Sequence, residues 1–151
     1  MEQINDFYNI ALMHDIGKLS IPDRILNKPE RLNDEEYEIM KTHAANGAEL
    51  LKDVNIMEDL AVGAGCHHER MDGKGYPNGL KGEEIPLAAR IVSLADVYDA
   101  LRHRRVYKAP WTLEDTLNEI QSQAGKQFDP ELVEAFMQIK DRLEVINEAI
   151  S

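Results

Sequence analysis

Six side chains suited to metal chemistry are spread along this sequence: His14 with the adjacent Asp15, His43, the pair His67 and His68, and Asp96. Imidazole nitrogens combined with aspartate oxygens suit first-row divalent ions such as Mn, Fe, Ni or Zn. Cys66 is the lone cysteine, which excludes a thiolate-rich structural zinc site. An oxygen-only magnesium or calcium site fits poorly with so many imidazoles. Asp15 has two carboxylate oxygens and can bridge two ions. Two ions roughly 3.5–4 Å apart would clamp a hydroxide and stabilise both oxygens of a phosphoryl displacement, so hydrolysis of a phosphate ester is the natural chemistry. Asp96 is the most telling single residue, because a carboxylate among Ile91, Val92, Leu94, Ala95 and Val97 is costly unless paired or metal-bound. Plainer alternatives stand beside each reading: a mere helix end at His14-Asp15, a satisfied interior or surface pair at His67-His68, and an arginine partner for Asp96.

The elements that must position these groups are helical almost throughout. Ile4, Phe7, Tyr8, Ala11 and Leu12 recur at helical spacing and predict a helix ending near His14 and Asp15, with Gly17 as its stop. Lys18 to Leu32, with Pro22 and Pro29, reads as a loop. Asn33 and Glu36 form a capping box that starts a helix running toward His43, and a further helix covers Ile56 to Cys66 and stops at His67 and His68. Four of the five histidines therefore fall at expected helix ends, where a side chain can turn from the packed face toward a cleft.

Glycines and prolines between Glu69 and Pro86 forbid a continuous helix, while Tyr76, Leu80 and Ile85 anchor that stretch as one ordered loop. Leu87, Ile91, Leu94, Tyr98 and Leu101 mark the next helix, Thr112 with Asp115 caps another, and Asp129-Pro130 opens a last one. Its apolar stripe is Val133, Phe136, Leu143 and Ile146, with an acidic solvated face opposite. Cys66 reads as a small buried hydrophobe and Trp111 as packing at a helix junction. The expected class is all-α, one domain over residues 1–151 with a long Gly/Pro-rich loop at 69–86.

The chain's 151 residues carry a formal net charge of −11, which argues against duplex nucleic acid or an anionic membrane as partner. No uncharged run approaches the roughly 20 residues that span a bilayer, and a single cysteine asks for no oxidising compartment, so the expected location is the cytoplasm. Residues 99–108 nevertheless sum to +3, a local attraction for a small anionic ligand.

The runs His14-Asp15-Ile16-Gly17-Lys18, Lys41-Thr42-His43 and His67-His68-Glu69-Arg70-Met71-Asp72-Gly73-Lys74-Gly75-Tyr76-Pro77 resemble the HD-GYP family of phosphodiesterases. Ala95-Asp96-Val97-Tyr98-Asp99-Ala100-Leu101 and Phe128-Asp129-Pro130 continue the resemblance in the family's order. It implies an HD-type helical bundle that hydrolyses cyclic di-GMP, or a related cyclic dinucleotide, to a linear dinucleotide at a centre of two or three divalent metals, usually iron or manganese. Under it His14, Asp15, His43, His67, His68 and Asp96 match metal ligands. Lys18 matches a phosphate-contacting lysine, Arg105 and Lys108 match residues that hold the dinucleotide, and Asp99 matches a polar active-site residue.

The family carries one more ligating histidine on a helix before the HD dipeptide. No histidine precedes His14 here, so the chain is expected to lack that helix and to cover the exposed apolar surface by self-association. The competing expectation is a catalytically depleted sensor of the dinucleotide, or a module that docks on a regulatory protein partner.

Overall fold

The computed structural model describes residues 2–52, 58–103, 109–143 and 145. Seven α-helices are named in chain order: α1 (Glu2–Met13), α2 (Asp23–Leu26), α3 (Asp34–Lys52), α4 (Glu58–Cys66), α5 (Leu87–Arg102), α6 (Leu113–Ser122) and α7 (Pro130–Gln138), with 3-10 turns at Ile16–Ser20 and Gly82–Glu84. No strand occurs among the described residues, where a lone bridge pairs Ala124 with Phe128. The fold is all-α, as the periodicity requires.

Local chemistry sets the helix boundaries. Glu36 donates its backbone N–H to Asn33 Oδ1 at 2.8 Å and returns its carboxylate to the Asn33 N–H at 2.9 Å, which completes the capping box of α3. Thr112 Oγ1 accepts from the Asp115 N–H at 3.1 Å to start α6. Asp129 accepts from the Glu131 N–H at 2.9 Å to start α7, with Pro130 at the first helical position.

Three boundaries differ from those expected. The 18–32 stretch contains α2, because Pro22 stands at its N-cap with Asp23 in the first turn. Helix α3 continues nine residues past His43, so this histidine lies in mid-helix rather than at an end. The last helix breaks at Ile139, after which 140–143 are again helical. Ile56 and Ile146 lie outside the described residues.

Helix α5 is the shaft of the molecule. On one side Val92 packs with Ile10, Leu51, Leu60, Ala61 and Ala64 of α1, α3 and α4. On the other, Leu94 packs with Ile120, Phe128 and Val133 of the α6 to α7 region. A third cluster of Cys66, Ile85 and Ala89, with Met71 and Leu80 against it, roots the 69–86 loop on α4 and α5. Cys66 is thus the buried hydrophobe expected of it. Trp111 closes the α5 to α6 junction, donating its N–H to Leu101 O at 2.9 Å and accepting Arg102 Nη1 on its own carbonyl at 2.8 Å.

One crossing matters for the site. The 3-10 turn after α1 lies so tightly on α3 that a Cβ at Gly17 would stand 1.9 Å from the His43 carbonyl oxygen and 2.5 Å from Gly47 N. Only glycine permits that approach. It brings the end of α1 against the middle of α3, the two places where Asp15 and His43 sit.

Candidate metal centre

His14 and Asp15 follow the last turn of α1, His43 rides on α3, His67 and His68 follow α4, and Asp96 stands on α5. Their polar tips converge. Asp15 Oδ1 lies 3.5 Å from His43 Nε2 and 4.0 Å from His67 Nε2, while its Oδ2 lies 3.3 Å from His14 Nε2. Asp96 Oδ1 is 3.8 Å from His14 Nε2 and His68 Nε2 is 3.1 Å from His43 Nε2. Among the described residues, Asp96 has a histidine rather than an arginine beside it.

Three of the imidazoles are braced in the same way. Nδ1 of His14, His43 and His67 meets the carbonyl oxygen three residues earlier, at Ala11 (2.6 Å), Met40 (2.6 Å) and Ala64 (2.7 Å). A neutral imidazole has one N–H, so at His43 and His67 donating it from Nδ1 leaves Nε2 as a bare lone pair. That is how a metal-ligating histidine is held by its surroundings. Among the described residues, the Nε2 atoms of His14 and His67 are buried and find no hydrogen-bond partner. Orphaned buried nitrogens are costly, and a cation would satisfy them. Two triplets, His43-His67-His68 and His14-Asp15-His67, each hold their ligand atoms within 4.8 Å of one another. The 3.1 Å between His43 and His68 nitrogens also suits two donors each about 2.1 Å from one ion. The residues fit divalent metal.

Charge separates the two ends of the cluster. Burial pushes His67 down to about 4 and His68 down to about 3, helped by the neighbouring imidazoles, and burial likewise lowers His43. These three are neutral lone-pair donors at pH 7. At His14 burial works in the same direction but is outweighed by the Asp15 and Asp96 carboxylates, which push the imidazole up to about 10. Burial would raise Asp15, yet His14 and Lys18 hold it well below the ordinary carboxylate range. The protein therefore favours positive charge between Asp15 and Asp96.

Of the other residues singled out in the sequence, Lys18 donates Nζ to Asp15 Oδ2 at 2.5 Å and stays 40% exposed. It is at the centre and reachable by a ligand. Asp99 lies one turn beyond Asp96 on α5, is 67% exposed and pairs with His103 Nδ1 at 2.9 Å. Asp99, His103, His14 and Asp96 border an otherwise apolar cavity of about 420 Å³, walled by Ala95, Phe136 and others. Arg105 and Lys108 lie outside the described residues.

Two residues that hold the loop, Glu69 within it and Gln127 between α6 and α7, were not assigned roles from the sequence. Glu69 is buried (2% exposed), and its two carboxylate oxygens accept the Asn78 N–H at 2.7 Å and the Leu80 N–H at 3.0 Å. It folds the loop back on itself. Gln127 accepts Arg70 Nη1 on Oε1 at 3.3 Å, while its backbone carbonyl accepts the Met71 N–H at 3.4 Å. No local pattern marks either, since their partners lie 9 to 57 residues away. Tyr76 stacks on the His68 ring, centroids 4.8 Å apart and planes 26° from parallel, and so steadies a histidine of the cluster. A Cβ at Gly75 would meet the backbone of His68, Glu69 and Arg70 at 2.5 Å.

The fold and the nest together define an all-α domain that gathers histidines and aspartates from successive helices into a cluster that could hold metal. The family described as HD domain matches residues 2–132. A cyclic di-GMP phosphodiesterase of Thermotoga maritima is 50% identical over 135 residues, covering 88% of this chain and 37% of that protein. The cyclic di-GMP phosphodiesterase response regulator RpfG of Xanthomonas campestris is 44% identical over 147 residues, covering 96% of this chain and 39% of its own length. The crystal structure of a cyclic GMP-AMP specific phosphodiesterase of Vibrio cholerae superposes with a TM-score of 0.68 at 26% identity, over 92% of this chain and 38% of that one. The chain belongs to the HD domain family, as its motifs indicate. It spans well under half the length of these relatives. No described helix is long and apolar enough to cross a membrane.

Proposed function

We propose that this domain is a metal-dependent phosphodiesterase that opens a cyclic dinucleotide, cyclic di-GMP in the first instance, to the linear product. One observation carries the reading: the Asp15 carboxylate stands between two groups of inward-facing nitrogens, Oδ1 toward His43 and His67 and Oδ2 toward His14. In this reading His14, Asp15, His43, His67, His68 and Asp96 would hold two divalent ions, iron or manganese. Bound ions supply Lewis acidity and a nucleophile at neutral pH. Relatives that are 40–50% identical to this chain over the aligned residues are named cyclic di-GMP or 3'3'-cGAMP-specific phosphodiesterases, which supports the substrate class.

The protein's own part in the reaction is placement and charge. The Nδ1 braces fix the orientation of the three imidazole rings before anything binds. Lys18, exposed beside Asp15, donates to a non-bridging phosphate oxygen as negative charge builds on phosphorus. Asp99, at the rim of the cavity bordered by His14 and Asp96, contacts the sugar or base on that side. Arg105 and Lys108 supply charge against the phosphates. One bond forms and one breaks: the water oxygen joins phosphorus, the sugar oxygen leaves, and the water's proton ends on that leaving oxygen.

Metal analysis with a hydrolysis assay in Mn- and Fe-supplemented buffer tests the reading. The expected result is about two ions per chain and conversion of cyclic di-GMP to the linear form. Metal-loaded protein that binds cyclic dinucleotides yet leaves them intact would overturn catalysis in favour of a sensor.

A further inference from the structure

Three of the four clustered histidines are held by a carbonyl of the preceding turn, and His68 is the exception. Among the described residues its Nδ1 meets no such carbonyl, and the ring's hydrogen-bonding contact is the 3.1 Å approach of Nε2 to His43 Nε2. A histidine ring turns easily about its last side-chain torsion, whose wells are broad. Something else must fix the plane of His68, and Tyr76 is placed to do so, stacked on it with centroids 4.8 Å apart and planes 26° from parallel. The backbone ties the two together as well: the Tyr76 N–H donates to His68 O at 3.3 Å. Just beyond, buried Glu69 gathers the amides of Asn78 and Leu80 and closes the loop around the tyrosine.

What holds Tyr76 in turn comes from another helix. Lys41 Nζ lies over two aromatic rings, 5.6 Å from the centroid of Tyr37 and 5.7 Å from that of Tyr76. Both are within the distance at which a cation is drawn to a ring face. Tyr37 and Lys41 are one turn apart on α3, and Glu38 Oε1 holds the ammonium at 2.6 Å. Lys41 also precedes His43 by two residues, so α3 supplies one histidine of the close pair and the anchor for the ring that aligns the other. We infer that Lys41 and Tyr76 form a positioning relay for His68, standing in for the carbonyl brace that the other three histidines have. His68 belongs to the His43-His67-His68 triplet and not to the His14-Asp15-His67 one. The relay therefore governs one ion site and leaves the other alone. It rests on the metal part of the proposed function.

The test is a calorimetric Mn titration of the full chain, read as separate binding steps, with the visible spectrum of bound Co as a second signal because it follows ligand type and geometry. His68→Ala first identifies the step that depends on His68. Tyr76→Leu should weaken that same step by about 10- to 100-fold, the loss expected when an outer partner of a ligating histidine is removed, and shift the Co spectrum, while the other step holds. Tyr76→Phe, which keeps the ring face, should bind as the wild type does. Lys41→Met leaves Tyr76 in place and should cost about 2- to 5-fold at the same step, the range of an exposed cation–π contact. In the His68→Ala background neither Tyr76→Leu nor Lys41→Met should change the binding that remains, since the group through which they act is gone. Losses that persist in that background, or Tyr76→Leu and Lys41→Met chains that bind at both steps like a metal-binding wild type, overturn the relay alone. A wild type that takes up no Mn overturns the metal reading and the relay with it.

Discussion

Asp15 carries more of the candidate site than any other side chain, because each of its oxygens faces a different set of nitrogens. Asp15→Asn keeps the size but replaces one of those oxygens with a donor. Metal bound per chain should drop by about half or more, and turnover of a cyclic dinucleotide should fall by at least about 100-fold, read by elemental analysis and a discontinuous assay. Further out, the Arg70 fork holds Asp72 down from its ordinary 3.8 to about 2. A carboxylate with a depressed folded-state pKa adds stability above its unfolded value and loses it as pH falls through the folded one. The gap in unfolding midpoint between wild type and Asp72→Asn should therefore be full above about pH 4 and close toward pH 2. At this scale the sequence was legible where chemistry is a matter of residue type: six histidines and aspartates could be picked by kind. Glu69 could not, because a glutamate buried on the amides of Asn78 and Leu80 looks like any solvated glutamate until the loop is folded.

Among the elements, the 3-10 turn and α3 are fitted most closely. With 1.9 Å between a Cβ at Gly17 and the His43 carbonyl, Gly17→Ala must push the turn off α3, at a cost above the roughly 1–3 kcal/mol of ordinary overpacking. Because Asp15 moves with the turn, metal affinity should fall about 10- to 100-fold together with stability, measured by chemical denaturation and metal titration. A variant that weakened metal binding without loss of stability would contradict this account. The start of α3 was readable from Asn33 and Glu36. Its end was not, since nothing between His43 and Lys52 breaks the helix and Gly47 serves the crossing instead of a stop. The position of His43 followed from that contact between distant segments, which no local spacing reveals.

For the molecule as a whole, four chain segments supply the nest and α5 joins two apolar clusters on either side of it. Metal that binds the folded state alone stabilises all of these segments at once, by about 2.7 kcal/mol when the free ion is at 100 times its Kd. Stripping with a chelator should lower the unfolding midpoint by several degrees, and adding Mn should restore it. The asymmetry of charge was visible in outline from the sequence, with −11 overall and +3 over residues 99–108. The sharper division was not: three neutral imidazoles at one end of the cluster and a region that favours a cation at the other, which depend on burial and on which carboxylates stand close.

The brace on each of three histidines is made within its own helical turn, to the carbonyl three residues back. Aim is thus encoded locally while convergence is encoded by packing. Each ring's orientation is therefore set by its own helical turn and does not depend on contacts with the neighbouring helices.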